Sequence, residues 1–162
     1  MRREKLISSF PYETRKIAQD FAKEVLKTRF EKAILISLEG ELGSGKTTFV
    51  KAFAFALGVK NRVTSPSFVL MKRYPLSHSF FKNLYHIDCY RVEKEQEIKN
   101  LGWEKIIEDK RNIVVVEWGD KIKNILPQRT IRILLKFRPG GKREIEIIWP
   151  RFSNTKNLVK IK

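Results

Sequence analysis

Apolar residues in this chain recur with two different periods, and the places where the period changes mark its elements. Through ETRKIAQDFAKEVLK, Ile17, Phe21 and Val25 return at helical spacing with Ala18, Ala22 and Leu26 beside them, which predicts an amphipathic helix opened by Pro11. AILISLE, from Ala33 to Glu39, is a short apolar run ending at Gly40 and predicts a buried strand. Phe49, Val50, Phe53, Ala54 and Leu57 then share one helical face, with Gly58 placed to stop it. SFVLMKRY and NLYHIDCY read as strands on either side of a polar, aromatic loop, PLSHSFFK. VEKEQEIKNLGWEKIIED has helical character interrupted near Gly102, and NIVVVEW is the most strand-like run of all. RTIRILLKF and REIEIIW alternate with period two around RPGGK, the pattern of a hairpin.

Length and composition bound what these elements can build. With 162 residues, 42% of them hydrophobic, the chain suits one domain with a true core. There is no internal repeat and no low-complexity linker. The apolar stretch after the basic N-terminus stops within two residues and meets Pro11, so no signal-peptide core follows, and no apolar run approaches the length of a membrane span. A cytoplasmic protein with no membrane contact is expected. One cysteine, Cys89, has no partner for an internal disulfide, and two histidines with one cysteine fit no usual zinc spacing. A bound metal would therefore take oxygen ligands.

Charge adds a further expectation. The formal charge is +16, and residues 129–162 hold ten Lys and Arg against two Glu. Such asymmetry suits a polyanion such as RNA, although the same charge serves solubility and by itself points at no base. The tail RFSNTKNLVKIK reads as a frayed or partner-ordered extension.

Candidate chemistry concentrates in GELGSGKTT, residues 40–48. Gly40, Gly45, Lys46 and Thr47 fit the P-loop spacing, in which glycines let backbone N–H groups turn inward around phosphate oxygens at a helix N-terminus. Lys46 would reach the β and γ phosphates, and the Thr47 hydroxyl would contact magnesium. The predicted strand before the motif and helix after it supply the required context. The expected architecture is a single-domain α/β P-loop NTPase with a mainly parallel central sheet, flanking helices and an antiparallel C-terminal hairpin, over residues 1–150, followed by a basic tail at 151–162.

Two predicted strands end in carboxylates, Asp88 in LYHID and Glu117 in VVVE, and in α/β sheets ligands sit beyond such strand ends. One acid to hold magnesium and one to orient water is the smallest set that hydrolysis needs, so Thr47, Asp88 and Glu117 are the candidate metal-site residues. Thr64 in VTSPSF could sense a γ-phosphate as switch loops do, with Pro66 as a plain turn former the competing account. Trp118 either covers the nucleotide or fills the core. His86 alternates with Asp88 and shares its face, and reads as a structural histidine. Cys89 points the other way and reads as a core thiol.

In this order and spacing, GELGSGKTTFVKAFAFALGV, VTSPSF, LYHIDCYRV and VVVEWGD resemble the bacterial TsaE (YjeE) family of tRNA threonylcarbamoyladenosine biosynthesis ATPases, over roughly residues 10–150. The resemblance implies a small P-loop ATPase that binds ATP and Mg2+ and joins the TsaD and TsaB proteins, which place threonylcarbamoyl on the adenosine beside the anticodon of tRNAs reading codons that start with A. It implies that ATP hydrolysis cycles or resets that complex, with low activity in isolation. Carried over by position, Gly40, Glu41, Leu42, Gly43, Ser44, Gly45, Lys46, Thr47 and Thr48 form the nucleotide loop and Thr64 the switch-like threonine. Asp88 is then the magnesium-associated acid, Glu117 the acid that helps position water, and Trp118 the tryptophan near the nucleotide. Lys46, Glu117 and Thr64 are the residues this assigns to catalysis. Cys89 stands where the family more often has an aliphatic or small residue, and PLSHSFFKN and the basic tail look particular to this chain. They bear on docking, and on whether the basic surface adds a contact to tRNA.

Two other readings compete. A P-loop small-molecule kinase would need an arginine-bearing lid, drawn from the segments around Arg62, Arg73 or Arg91, and the acidic stretch after Asp88 suits a lid poorly. A guanine-reading Asn-Lys-x-Asp motif is absent from the sequence. An RNA-binding module with a degenerate P-loop would leave the Lys46-Thr47 pair and both strand-end acids as coincidence.

Overall fold

A computed structural model of the chain describes residues 1–151. The basic tail apart from Arg151 lies outside the described residues. Seven strands and four helices follow in order: β1 (Arg2–Ser8), α1 (Pro11–Lys27), β2 (Ile34–Glu39), α2 (Lys46–Ala56), β3 (Met71–Pro75), β4 (Asn83–Asp88), α3 (Glu95–Lys99), α4 (Trp103–Glu108), β5 (Asn112–Glu117), β6 (Ile131–Arg138) and β7 (Lys142–Trp149). They form one mixed sheet in the order β1-β7-β6-β2-β5-β4-β3. Its centre, β6-β2-β5-β4, is parallel. Antiparallel pairs close both margins: β3 on β4 at one end, β6 with β7 and β7 with β1 at the other.

The unbroken apolar runs of β2 and β5 follow from burial on both faces. Ile34, Ile36, Leu38, Ile113 and Val115 pack toward α1 and α2 in one core, while Leu35, Val114 and Val116 pack toward Trp103, Ile106 and Ile107 of α4 in the other. Phe21 of α1 joins the first core to the helix after the glycine loop, with its ring 5.9 Å from Phe49 and 5.5 Å from Phe53. The glycine loop is thereby held between a buried strand and a helix that cannot shift without opening a core.

Three local departures from the sequence pattern have physical causes. The predicted helix over residues 92–109 is two short helices, because Gly102 at φ 82° turns the backbone out of the helical region. The strand predicted over 67–74 begins only at Met71; Val69 closes a turn on Pro66, and Leu70 adopts φ 63°. β1 was hidden by its own charges, since Arg2, Arg3, Glu4 and Lys5 show no apolar alternation. It is an edge strand, where charge is an asset, and the Arg2 guanidinium lies 4.6 Å from the Trp149 ring centre while Arg3 meets Glu146 at 3.5 Å. In the loop between β3 and β4, Phe81 is fully buried and His78 Nδ1 accepts the N–H groups of Phe80 and Phe81 at 3.0 Å each, so this loop caps the core.

Candidate functional site

β2 ends at Gly40, where the chain must turn sharply against β6. A β-carbon at this position would lie 2.4 Å from the Leu135 carbonyl oxygen and 2.8 Å from Ser44 Oγ, so only glycine fits. Gly45 at φ 104° then directs the chain into α2, whose first residue is Lys46. The loop closes on itself through Ser44 N–H to Glu41 O at 3.1 Å.

The Lys46 ammonium is buried in this loop and donates to Gly40 O at 2.7 Å and Glu41 O at 2.8 Å. It lies 3.9 Å from the centre of the Trp118 ring, a cation–π contact. Burial holds its pKa below the ordinary lysine value, partly offset by the charges of Glu117, Asp120 and Asp88. An ammonium so placed gains most from a further anion brought to it.

The carboxylates arrive on neighbouring parallel strands. Asp88 and Glu117 are register partners at the ends of β4 and β5. Glu117, 2% exposed, accepts from Thr47 Oγ1 at 2.9 Å on Oε2 and from His86 Nε2 at 2.8 Å on Oε1. His86 is fully buried and its Nδ1 has no partner among the described residues, so its one hydrogen bond is spent on orienting Glu117. Asp88 accepts from Ser65 Oγ at 3.1 Å and Ser67 Oγ at 2.8 Å on Oδ2, and from the Tyr90 N–H at 2.9 Å on Oδ1. These bonds hold segment 65–67 across the end of β4, which is why the strand predicted there is a turn.

A cleft of about 440 Å³ gathers most of these groups: Gly43, Gly45, Lys46, Thr47 and Thr48 of the loop, Ser65, Ser67, Asp88, Glu117 and Trp118, with Leu42, Phe68, Tyr90 and Arg91 at its margin. Thr64 does not line it, and its hydroxyl accepts from the Lys72 ammonium. Ser65 and Ser67 are the cleft residues that sequence reasoning passed over beside Thr64, and their position on either side of Pro66 was the available signal. Trp118 sits at φ 59°, a left-handed conformation uncommon for a tryptophan, with its N–H on Leu38 O at 2.9 Å. Gly119 follows it because a β-carbon there would lie 2.0 Å from Ser37 Oγ. Cys89 is buried facing away, its thiol pushed up to about 12 by burial, and behaves as a core residue. Among the described residues no three His, Cys, Asp or Glu side chains form a metal cluster, and no helix is long and apolar enough to cross a membrane.

A family model described as "Threonylcarbamoyl adenosine biosynthesis protein TsaE" matches residues 9–145. The chain belongs to the TsaE family. It is 34% identical over 132 residues to the tRNA threonylcarbamoyladenosine biosynthesis protein TsaE of Treponema pallidum, covering 80% of this chain and 94% of that one. With the TsaE protein of Bacillus subtilis it shares 38% identity over 136 residues, 83% of this chain and 78% of the relative. The crystal structure of Bacillus subtilis YdiB superposes with a TM-score of 0.68 at 31% identity, covering 93% of this chain and 87% of that one. The TsaE match spans every cleft residue described above, from Gly43 to Trp118.

Proposed function

We propose that this TsaE-family chain is a magnesium-dependent ATPase that acts in threonylcarbamoyladenosine modification of tRNA by binding the TsaD and TsaB proteins and cycling their complex as ATP is bound and hydrolysed. The observation that carries the reading is the run of hydrogen bonds from Thr47 through Glu117 to His86, beside the buried Lys46 ammonium. A glycine turn that merely caps a helix has no use for a buried cation and a buried, doubly bonded carboxylate at one strand end, since burying such charges costs folding free energy. A phosphate site uses both.

Each residue then has a task. The loop N–H groups and Lys46 hold the β and γ phosphates, and the ammonium exchanges its bonds to Gly40 O and Glu41 O for phosphate oxygens. Thr47, Asp88 and Glu117 offer the hydroxyl and carboxylate oxygens that magnesium prefers; when bound, the ion would neutralise phosphate charge and polarise the γ-phosphoryl group. Glu117 accepts a hydrogen bond from the attacking water and orients it, and His86 keeps that carboxylate from rotating away. Ser65 and Ser67 hold Asp88 until the nucleotide draws it, which couples segment 64–68 to the contents of the site.

A nucleotide can drive a partner complex between states only if the states bind it differently. We therefore expect this chain to bind TsaD–TsaB with affinities that differ by about tenfold or more between MgATP and MgADP, measured by interferometry at matched salt because of the +16 charge. Equal affinity with the two nucleotides would remove the cycling step from the proposal. A kinase reading would instead be supported by turnover that rises with a small acceptor and is indifferent to these proteins.

A further inference from the structure

The sheet order gives the phosphate loop two unlike walls. β5 and β4, which end in Glu117 and Asp88, lie on one side of β2, and β6 and β7 lie on the other. On that second side the loop rests against Phe137 and Arg143. A β-carbon at Gly43 would be 4.0 Å from Phe137 Cζ, and one at Gly45 would be 3.9 Å from Arg143 Cδ and 4.0 Å from its Nε. The two residues are register partners across the β6–β7 pair, with the guanidinium carbon 5.3 Å from the ring centre.

Neither residue is spent on the fold. Phe137 is 44% exposed at the end of its strand. Arg143 donates to Gly141 O at 2.8 Å and, among the described residues, has no carboxylate partner, whereas its hairpin neighbour Arg138 is tied to Glu144 at 2.7 Å. An accessible ring and a guanidinium without an acid, both against a phosphate loop, are the groups that stack on a base and take phosphate or ribose oxygens.

We propose that Phe137 and Arg143 form the platform for the nucleoside half of the bound nucleotide. The inference rests on the ATP reading above and says which way the nucleotide lies. Hydrolysis breaks the bond between the β and γ phosphates, so the γ-phosphoryl end must face the water held by Glu117. The α-phosphate, ribose and base then leave the loop on the opposite side of β2, where Phe137 and Arg143 stand. A phenyl ring offers a base its π face and no hydrogen-bond pattern, so the platform adds grip to purine nucleotides without itself choosing adenine over guanine.

The test is calorimetric titration of the full chain with MgATP and, separately, with magnesium tripolyphosphate, which has the phosphates and no nucleoside. Phe137→Ala is expected to weaken MgATP binding by about tenfold while tripolyphosphate affinity stays within about twofold, and Phe137→Trp to restore MgATP binding. Arg143→Ala is expected to weaken MgATP as well. Unchanged MgATP affinity in Phe137→Ala would overturn the platform, and so would an equal loss for both ligands, which would mean a distorted loop. Failure of the ATP reading is seen separately, in wild-type protein that binds no MgATP, and it would take the platform with it.

Discussion

A Glu117→Gln protein is expected to bind MgATP within about threefold of wild type and to hydrolyse it about a hundredfold more slowly or worse, in single-turnover measurements with the TsaD and TsaB proteins present. The expectation follows from what Gln retains and what it loses. Its side chain has the same shape, and its carbonyl can accept from His86 Nε2 while its amide donates to Thr47 Oγ1, so the bonds seen at 2.8 and 2.9 Å have replacements. The lost element is a carboxylate that can accept from and orient an attacking water. Loss of binding together with turnover would instead make Glu117 a ligand for the nucleotide–magnesium complex more than a water-positioning group. Undiminished turnover would remove it from the chemistry.

Lys46→Ala is expected to lose the other half of the cycle: MgATP affinity should fall by about a hundredfold or more, while the melting temperature stays within a few degrees of wild type. The two readouts separate because of where the ammonium sits. Burial already disfavours its charged form, so removing it relieves a desolvation cost at the same time as it deletes bonds to Gly40 O and Glu41 O. Those two carbonyls face the cleft, where water can replace the lost donor. A phosphate ligand has no such substitute. Equal nucleotide affinity in wild type and Lys46→Ala would contradict the assignment of this loop to phosphate.

How far the sequence carried can be argued from single positions. The strand–loop–helix around Gly40 and Lys46 was legible because its signals agree at every level: an apolar run, glycines at fixed offsets, then a helical face ending at Gly58. The parallel centre was legible because strands buried on both faces are continuously apolar, as VVVE and AILISL are. β1 was not, because an edge strand tolerates the arginines and lysines that erase its alternation. Segment 67–70 was misjudged for a tertiary reason: Ser67 is held by the Asp88 carboxylate, a bond to a residue 21 positions away that no local pattern encodes.

Within the site, strand alternation gave the shared face of His86 and Asp88, yet the partner of His86 is Glu117 on the next strand. That contact depends on β4 pairing with β5 in register, and sequence separation conceals it. His86 therefore read as structural when its single bond orients the candidate catalytic acid. Thr64 shows the converse error of emphasis, for the hydroxyls in the cleft belong to Ser65 and Ser67 and the Thr64 hydroxyl faces Lys72. Phe137 and Arg143 lay in what read as an ordinary hairpin. Only the packing of β6 against the glycine loop gives them neighbours worth noticing.

The central claim is that this cleft hydrolyses ATP in the service of a partner complex, and release of phosphate from MgATP by the purified chain, alone and with TsaD and TsaB, tests it most directly. Slow release by the chain alone that rises about tenfold or more with both partners, and that vanishes when magnesium is chelated, is the predicted result. Phosphate release that stays at the buffer background with both partners and magnesium present, from protein that demonstrably binds MgATP, would contradict it.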